Sequence, residues 1–281
     1  MLLNGVRTAS LLSALLICFL SGAFESLRFL WILPVSYFGT YLILAGLGFL
    51  FLLYLCRRVD LNVPQEQDSP FYRKALGLYV DAAVGLLKTR IHTEGLQNIP
   101  VSGRFMLVCN HRSIMDPVIV SKYFNKKQIA YISKQENADM FIIGKMMHKT
   151  MCQMVNRENN REGLKTILNC IRLLKEDQVS IAAFPEGYIT KDGKLQHFRS
   201  GVFKIATKAK VPIVICTLTN TENILKSAAR LKPVDVSFHV LGSITPQDYE
   251  GLSTVEISDQ VFKRMLEDLG PDYAPAEEQA E

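Results

Sequence analysis

Two stretches without a charged residue, Thr8 to Phe24 and Phe29 to Cys56, constrain this chain more than any other feature in it. A helix crossing the hydrocarbon of a bilayer needs roughly 20 apolar residues. Backbone in that medium must satisfy its own hydrogen bonds, so both stretches are expected to be helical. The second run is ample, while the first reaches that length only with its flanks. Just Glu25, Ser26, Leu27 and Arg28 separate them, which points to a hairpin of two membrane helices, the first also compatible with a shallow, partly re-entrant course. The opening MLLNGVR and the small residues from Ser21 to Ala23 also fit a secretory signal, but a longer apolar run follows at once and favours the hairpin. Pro34 marks the start of the second helix or a kink in it. Basic residues stay on the cytoplasmic side. Arg7 precedes the first run and Arg57 and Arg58 close the second, so both ends of the hairpin, and the rest of the chain, are expected at the cytosolic face.

The formal net charge of +5 over 281 residues is uneven. Residues 1–62 hold +2, the stretch from Pro271 holds four acids and no base, and the middle carries +7. A basic body suits an anionic inner leaflet; an ordinary basic cytosolic surface accounts for it equally well. Three parts follow: a hairpin and linker over 1–62, a folded domain over 63–270, and an acidic tail over 271–281 expected to be disordered. The six cysteines, Cys18, Cys56, Cys109, Cys152, Cys170 and Cys216, show no CxxC spacing, so neither a zinc site nor a disulfide framework is suggested. The absence of G-x-x-x-x-G-K-[ST] and G-x-G-x-x-G disfavours nucleotide hydrolysis and dinucleotide chemistry. Nothing suggests a catalytic metal, a cofactor or a nucleic-acid partner.

Within the domain, apolar strand-like runs alternate with helical patterns. Phe71 to Ile91 is amphipathic, with Tyr72, Leu76, Tyr79, Ala83 and Leu87 on one stripe, and is expected to pack on the sheet. Strands are expected around 91–95, 105–110, 128–133, 151–155, 179–184, 211–217 and 234–241. Helices are expected after Asp116, over 136–149, 161–174, 201–209 and 258–269. Strands alternating with helices imply an α/β fold with a mixed, largely parallel sheet flanked by helices.

Two strand exits turn abruptly polar. Phe105 to Pro117 reads FMLVCNHRSIMDP, and Val179 to Phe184 leads into FPEG. Open α/β sheets carry their chemistry at such exits. His111 followed five positions later by Asp116 fits a general base with its orienter, although such a pair is more often a turn or helix cap. Cys109, inside the strand pattern, is read as a small core residue rather than a nucleophile.

Together these blocks resemble the glycerolipid acyltransferase family, whose hallmark is NH, four residues, then D, followed downstream by FPEG. The resemblance runs from about Tyr72 to Phe262. NHRSIMD is the first block; Gly144 with Val155, Asn156 and Arg157 resembles the second; FPEGYIT is the third; Val211, Pro212 and Ile213 resemble the fourth. The third block departs from the family's usual Thr, Arg, Ser, with Tyr188, Ile189 and Thr190 instead.

The resemblance implies the glycerolipid acyltransferase fold and transfer of a fatty acyl group from acyl-CoA or acyl carrier protein to a lysophospholipid. It implies no covalent acyl-enzyme, which leaves Ser113 as a turn residue. His111 would take the hydroxyl proton and Asp116 would fix the imidazole. Asn110, Arg157, Glu186, Gly187 and Arg199 become substrate-binding candidates, with Arg157 foremost because a planar guanidinium suits phosphate oxygens. Lysophosphatidate is the expected acceptor. Another lysophospholipid or polar lipid, a noncatalytic lipid-binding protein of the same fold, and a metal-dependent hydrolase remain as rival readings.

Overall fold

The computed structural model describes residues 2–26, 29–156, 159–190 and 192–275. Met106–Cys109 (β2) is apolar in every residue, and all four side chains are buried. A strand hidden on both faces needs a layer on each side of its sheet. Six more strands join it: Thr89–Glu94 (β1), Ile129–Lys134 (β3), Gln153–Val155 (β4), Ser180–Ala183 (β5), Ile213–Thr219 (β6) and Val234–Ile244 (β7). Their spatial order is β1-β7-β6-β2-β5-β3-β4. The five strands from β6 to β4 are parallel, β7 runs antiparallel to β6, and β1 runs parallel to β7. The expected mixed, largely parallel sheet is therefore what forms.

Alternation along β2 divides the core. Met106 and Val108 pack with Ile181, Ile213 and Ile215 against Asn160–Lys175 (α6), Lys204–Ala209 (α7) and Thr254–Leu269 (α9). Leu107 and Cys109 face the other way, with Val214 and Leu218, onto Asp116–Phe124 (α4) and the end of Pro70–Leu86 (α3). Ser253 and Glu256 close a reciprocal capping box on α9. It satisfies two backbone donors that would otherwise be unpaired at the helix start.

The two apolar runs form helices Leu2–Leu20 (α1) and Ile32–Arg57 (α2), both long and apolar enough to cross a membrane. Pro34 sits in the first turn of α2, where a proline costs no helical hydrogen bond. The base of the hairpin packs on the body. Leu52, Leu55 and Cys56 meet Ala75 and Met146, with Tyr72, Leu76 and Tyr79 around them. Much of the amphipathic stripe of α3 thus faces α2 rather than the sheet, because α2 offers an apolar surface nearer than the strands; Leu87 alone of the five packs with the sheet's core.

Tyr72 donates to Leu55 O at 3.1 Å and Tyr79 to Gly48 O at 2.7 Å, so α3 runs antiparallel to α2. It also runs antiparallel to α4, with Asn125 donating to Arg73 O at 2.9 Å and Lys122 pairing with Asp81 at 2.6 Å. Since α4 begins at the carboxyl ends of the parallel strands, the start of α2 lies on that side too. Roughly ten residues of α2, on the order of 15 Å, extend past the end of α3.

The linker is fastened to the body rather than loose. Lys145 donates to Val59 O at 2.6 Å, Lys149 to Gln65 Oε1 at 2.8 Å, and Ser69 N–H to Lys149 O at 3.1 Å. Asp68 is held by the buried guanidinium of Arg73, which also donates to the carbonyls of Ile129 and Thr150.

Local departures have local causes. The helix expected over 136–149 is a 3-10 turn at Gln135–Asp139 followed by Phe141–Lys149 (α5). The two pack so closely that a Cβ at Gly144 would stand 2.0 Å from Ala138 O. Ile224–Ala229 (α8) is a short helix that the sequence pattern does not announce. The first residues of the tail expected from Pro271 are structured. Pro271–Tyr273 is a 3-10 turn whose Tyr273 carbonyl accepts from Leu195 N–H at 2.8 Å.

Candidate active site

At the exit of β2 the Asn110 side chain bonds both backbone groups of Leu218, accepting from its N–H at 2.7 Å and donating to its carbonyl at 2.9 Å. Asn110 is buried and its amide is spent on β6, so it anchors the strand exit. The chain then curls until Asp116, the first residue of α4 and wholly buried, turns its carboxylate back beneath the loop. Asp116 Oδ2 accepts from the backbone N–H of Arg112 at 2.6 Å and of Ser113 at 2.8 Å, and pairs with His111 Nδ1 at 2.8 Å. Asp116 Oδ1 accepts from the hydroxyl of Thr221.

A carboxylate partner makes Nδ1 the donor and leaves the lone pair of a neutral imidazole on Nε2. Nε2 has no hydrogen-bond partner among the described residues, and the side chain keeps 17% exposure. The ring stacks on Phe184, centroids 4.2 Å apart and planes 19° apart. Phe184 stacks in turn on Tyr131. A histidine with one nitrogen fixed by a buried carboxylate and the other open is arranged to accept a proton.

The second strand exit grips the first. Glu186, also buried, accepts from the backbone N–H of His111 at 2.5 Å and of Gln196 at 2.9 Å. Thr190 N–H donates to the His111 carbonyl at 3.2 Å. Burial, aided by Asp116, pushes the Glu186 carboxyl up to about 7, against its backbone donors and Arg112, which favour the charged form. Both Glu186 oxygens are thus bonded to backbone.

Gly187 has a φ of +82°, and a Cβ there would stand 2.7 Å from Arg199 Nε. Glycine is needed on both counts. Arg199 is exposed, and among the described residues its guanidinium makes no ion pair. Arg157, the foremost sequence candidate, lies outside the described residues. Ser113 Oγ accepts from Met115 N–H at 3.2 Å, a turn contact. Burial pushes the Cys109 thiol well above its ordinary range, which keeps it from being a nucleophile at neutral pH.

Three contributors are not evident from the sequence. Thr221 is one. Glu222 is the second; it holds Arg112 through two contacts, at 3.0 and 2.6 Å. Tyr273 is the third, its ring 4.9 Å below the Arg112 guanidinium, which also donates to Gly193 O at 2.7 Å. The run TNTEN, which begins with the last residue of β6, is a third polar strand exit of the same kind as the other two, and that is the signal available for the first pair. Tyr273 has none, since it falls in the acidic tail.

Residues 90–219 match the model of the Acyltransferase family. The chain is 34% identical over 155 residues to a 1-acyl-sn-glycerol-3-phosphate acyltransferase of Chlamydomonas reinhardtii, a match covering 54% of this chain and 46% of that protein. It is 33% identical over 141 residues to the chloroplastic 1-acyl-sn-glycerol-3-phosphate acyltransferase of Arabidopsis thaliana, covering 50% and 39%. The matches thus span less than half the length of these two relatives. Among solved structures, the 1-acyl-sn-glycerophosphate acyltransferase PlsC from Thermotoga maritima shares the fold at a TM-score of 0.57 and 21% identity, over 78% of this chain and 87% of that one. The family match runs from β1 to the end of β6 and so takes in the His111–Asp116 pair, the FPEG segment and the Glu186 contacts that join them. Over that span the chain is similar to the glycerolipid acyltransferases, and it shares the fold of one of them.

Proposed function

We propose that this protein is a membrane-anchored O-acyltransferase that moves a fatty acyl group from acyl-CoA or acyl carrier protein to the free hydroxyl of lysophosphatidate, giving phosphatidate. The observation that carries this reading is the histidine held through Nδ1 by a buried carboxylate with Nε2 left open. A neutral alcohol is a weak nucleophile. His111 Nε2 takes its proton as the new carbon–oxygen bond forms, and Asp116 stabilises the imidazolium. The carbon–sulfur bond breaks, and the proton passes to the departing thiolate. Arg199, poised over Gly187, and Arg157 bind the acceptor phosphate.

The hairpin supports anchoring. Its tip extends on the same side of the sheet as the carboxyl ends of β2 and β5, where His111 and Glu186 stand, so an embedded tip brings the dyad to the bilayer surface. The positions of Arg7, Arg57 and Arg58 support the anionic cytosolic leaflet as that surface.

Purified full-length protein in vesicles, given labelled acyl-CoA or acyl carrier protein and a set of acceptors, tests the reading. Label in phosphatidate is expected with lysophosphatidate. Transfer to another lysophospholipid alone would reassign the acceptor, an outcome that the exposed, uncharged Tyr188 and Ile189 beside Glu186 make worth measuring. Folded protein transferring to none of them would leave a lipid-binding role.

A further inference from the structure

We infer that Thr221 is a positioning residue for the dyad, fixing the Asp116 carboxylate through the one oxygen that the dyad loop itself leaves unheld. This rests on the reading of His111 as the base. Asp116 is wholly buried, so water cannot replace a missing donor. Its Oδ2 is served from within the loop by His111 Nδ1 and the backbone of Arg112 and Ser113. Its Oδ1 is served from outside the loop, by Thr221, which is also wholly buried. A threonine hydroxyl has one proton to donate, and here it is committed to the carboxylate.

The chain is built to deliver that hydroxyl. After β6, Asn220 takes a left-handed φ of +65°. Its side chain donates to Asp235 O at 2.6 Å and accepts from Asn223 at 2.6 Å. That turn brings Thr221 under Asp116 and Glu222 against Arg112. Together with Asn110 on Leu218, three successive ties stitch the exit of β6 to the exit of β2: 110 to 218, 116 to 221, and 112 to 222. Of the three, only the Thr221 tie hydrogen-bonds a dyad side chain, and so it acts directly on the carboxylate that holds the imidazole. A donor on Oδ1 draws charge from the carboxylate; without it Asp116 is a stronger partner for the imidazolium.

The experiment uses full-length protein in micelles with 15N-labelled histidine, the His111 signal being assigned by its loss in His111→Ala. Thr221→Val is expected to move the His111 titration to higher pH. It should also lower kcat roughly tenfold, the worth of one hydrogen bond to a charged group, with acceptor and donor KM within about twofold. Thr221→Ser should return the titration and most of kcat. Where the valine variant does not fold, the comparison of Thr221→Ala with Thr221→Ser carries the same test. A titration that stays, or moves to lower pH, overturns the positioning role, as does a loss confined to KM. Failure of the base reading is distinguishable, because His111→Ala would then keep near-full turnover while the titration still reports on Thr221.

Discussion

Glu186 Oε1 accepts the backbone N–H of His111 at 2.5 Å, while the Thr190 N–H holds the carbonyl of the same residue at 3.2 Å. The peptide groups on both sides of His111 are therefore fixed by one short segment of a neighbouring strand exit. The carboxylate at this position serves as a backbone clamp, and the spacing between FPEG and Thr190 is what lets a single turn reach both.

That clamp carries a pH signature. The folded-state pKa of Glu186 is raised from 4.5 to about 7. A raised carboxyl binds its proton more tightly in the folded state. Its contribution is fully present below about pH 4.5 and lost as pH rises to about 7, at most about 3 kcal/mol. Denaturant unfolding at pH 5, 6 and 7 should show stability falling with pH in the wild type, with a flatter slope in Glu186→Gln. Parallel slopes would show that Glu186 titrates normally.

The dyad predicts a graded response to substitution. His111→Ala should abolish acyl transfer with folding retained. Asp116→Asn should be severely impaired, because an amide in that position disfavours the Nδ1–H tautomer; the loss of about 10⁴ in rate that the same exchange causes in a serine protease triad is an upper guide. Single-turnover assays on folded protein check both, and wild-type turnover in His111→Ala would remove the base assignment.

Gly187→Ala combines two costs. An alanine held at a φ of +82° loses on the order of 1 kcal/mol. The added Cβ also displaces Arg199. The expected result is a modest drop in Tm together with a rise in acceptor KM and little change in donor KM. An equal effect on both KM values would argue against Arg199 as a phosphate contact.

The buried Arg73–Asp68 pair fixes the linker to the body, and its side chains are only 7% and 3% exposed. Removing one partner leaves an uncompensated charge, a loss of about 3 to 5 kcal/mol. Asp68→Leu should therefore unfold far more easily than the wild type, and the double variant Asp68→Leu with Arg73→Leu should recover part of the loss. A double variant no better than the single one would locate the effect in the carbonyls of Ile129 and Thr150, which also lose the guanidinium.

The parts of this molecule that are legible in its sequence are those encoded by contiguous residues. FMLVC followed by NHRS announces a buried strand with a polar exit, and the same rule finds FPEG. The two uncharged runs announce α1 and α2. Partners distant in sequence are not legible. Asn110 and Glu186 look like ligand contacts because nothing local says that Leu218 and Gln196 will consume their hydrogen bonds. Thr221 looks like an ordinary polar turn residue until β6 settles beside β2. The antiparallel course of β7 is hidden too, since a strand's direction depends on the crossing of its loop.

Tyr273 adds an ordering in time. It lies close to the end of the chain and far beyond Arg112, yet its ring meets that guanidinium and its carbonyl anchors Leu195 in the loop that Glu186 holds. During synthesis the apolar hairpin leaves the ribosome before α9 does, whereas this contact forms only after α9 and the turn behind it have emerged. A nascent chain whose hairpin is the membrane anchor proposed above would thus be attached to the bilayer before the loop that holds His111 is fully closed.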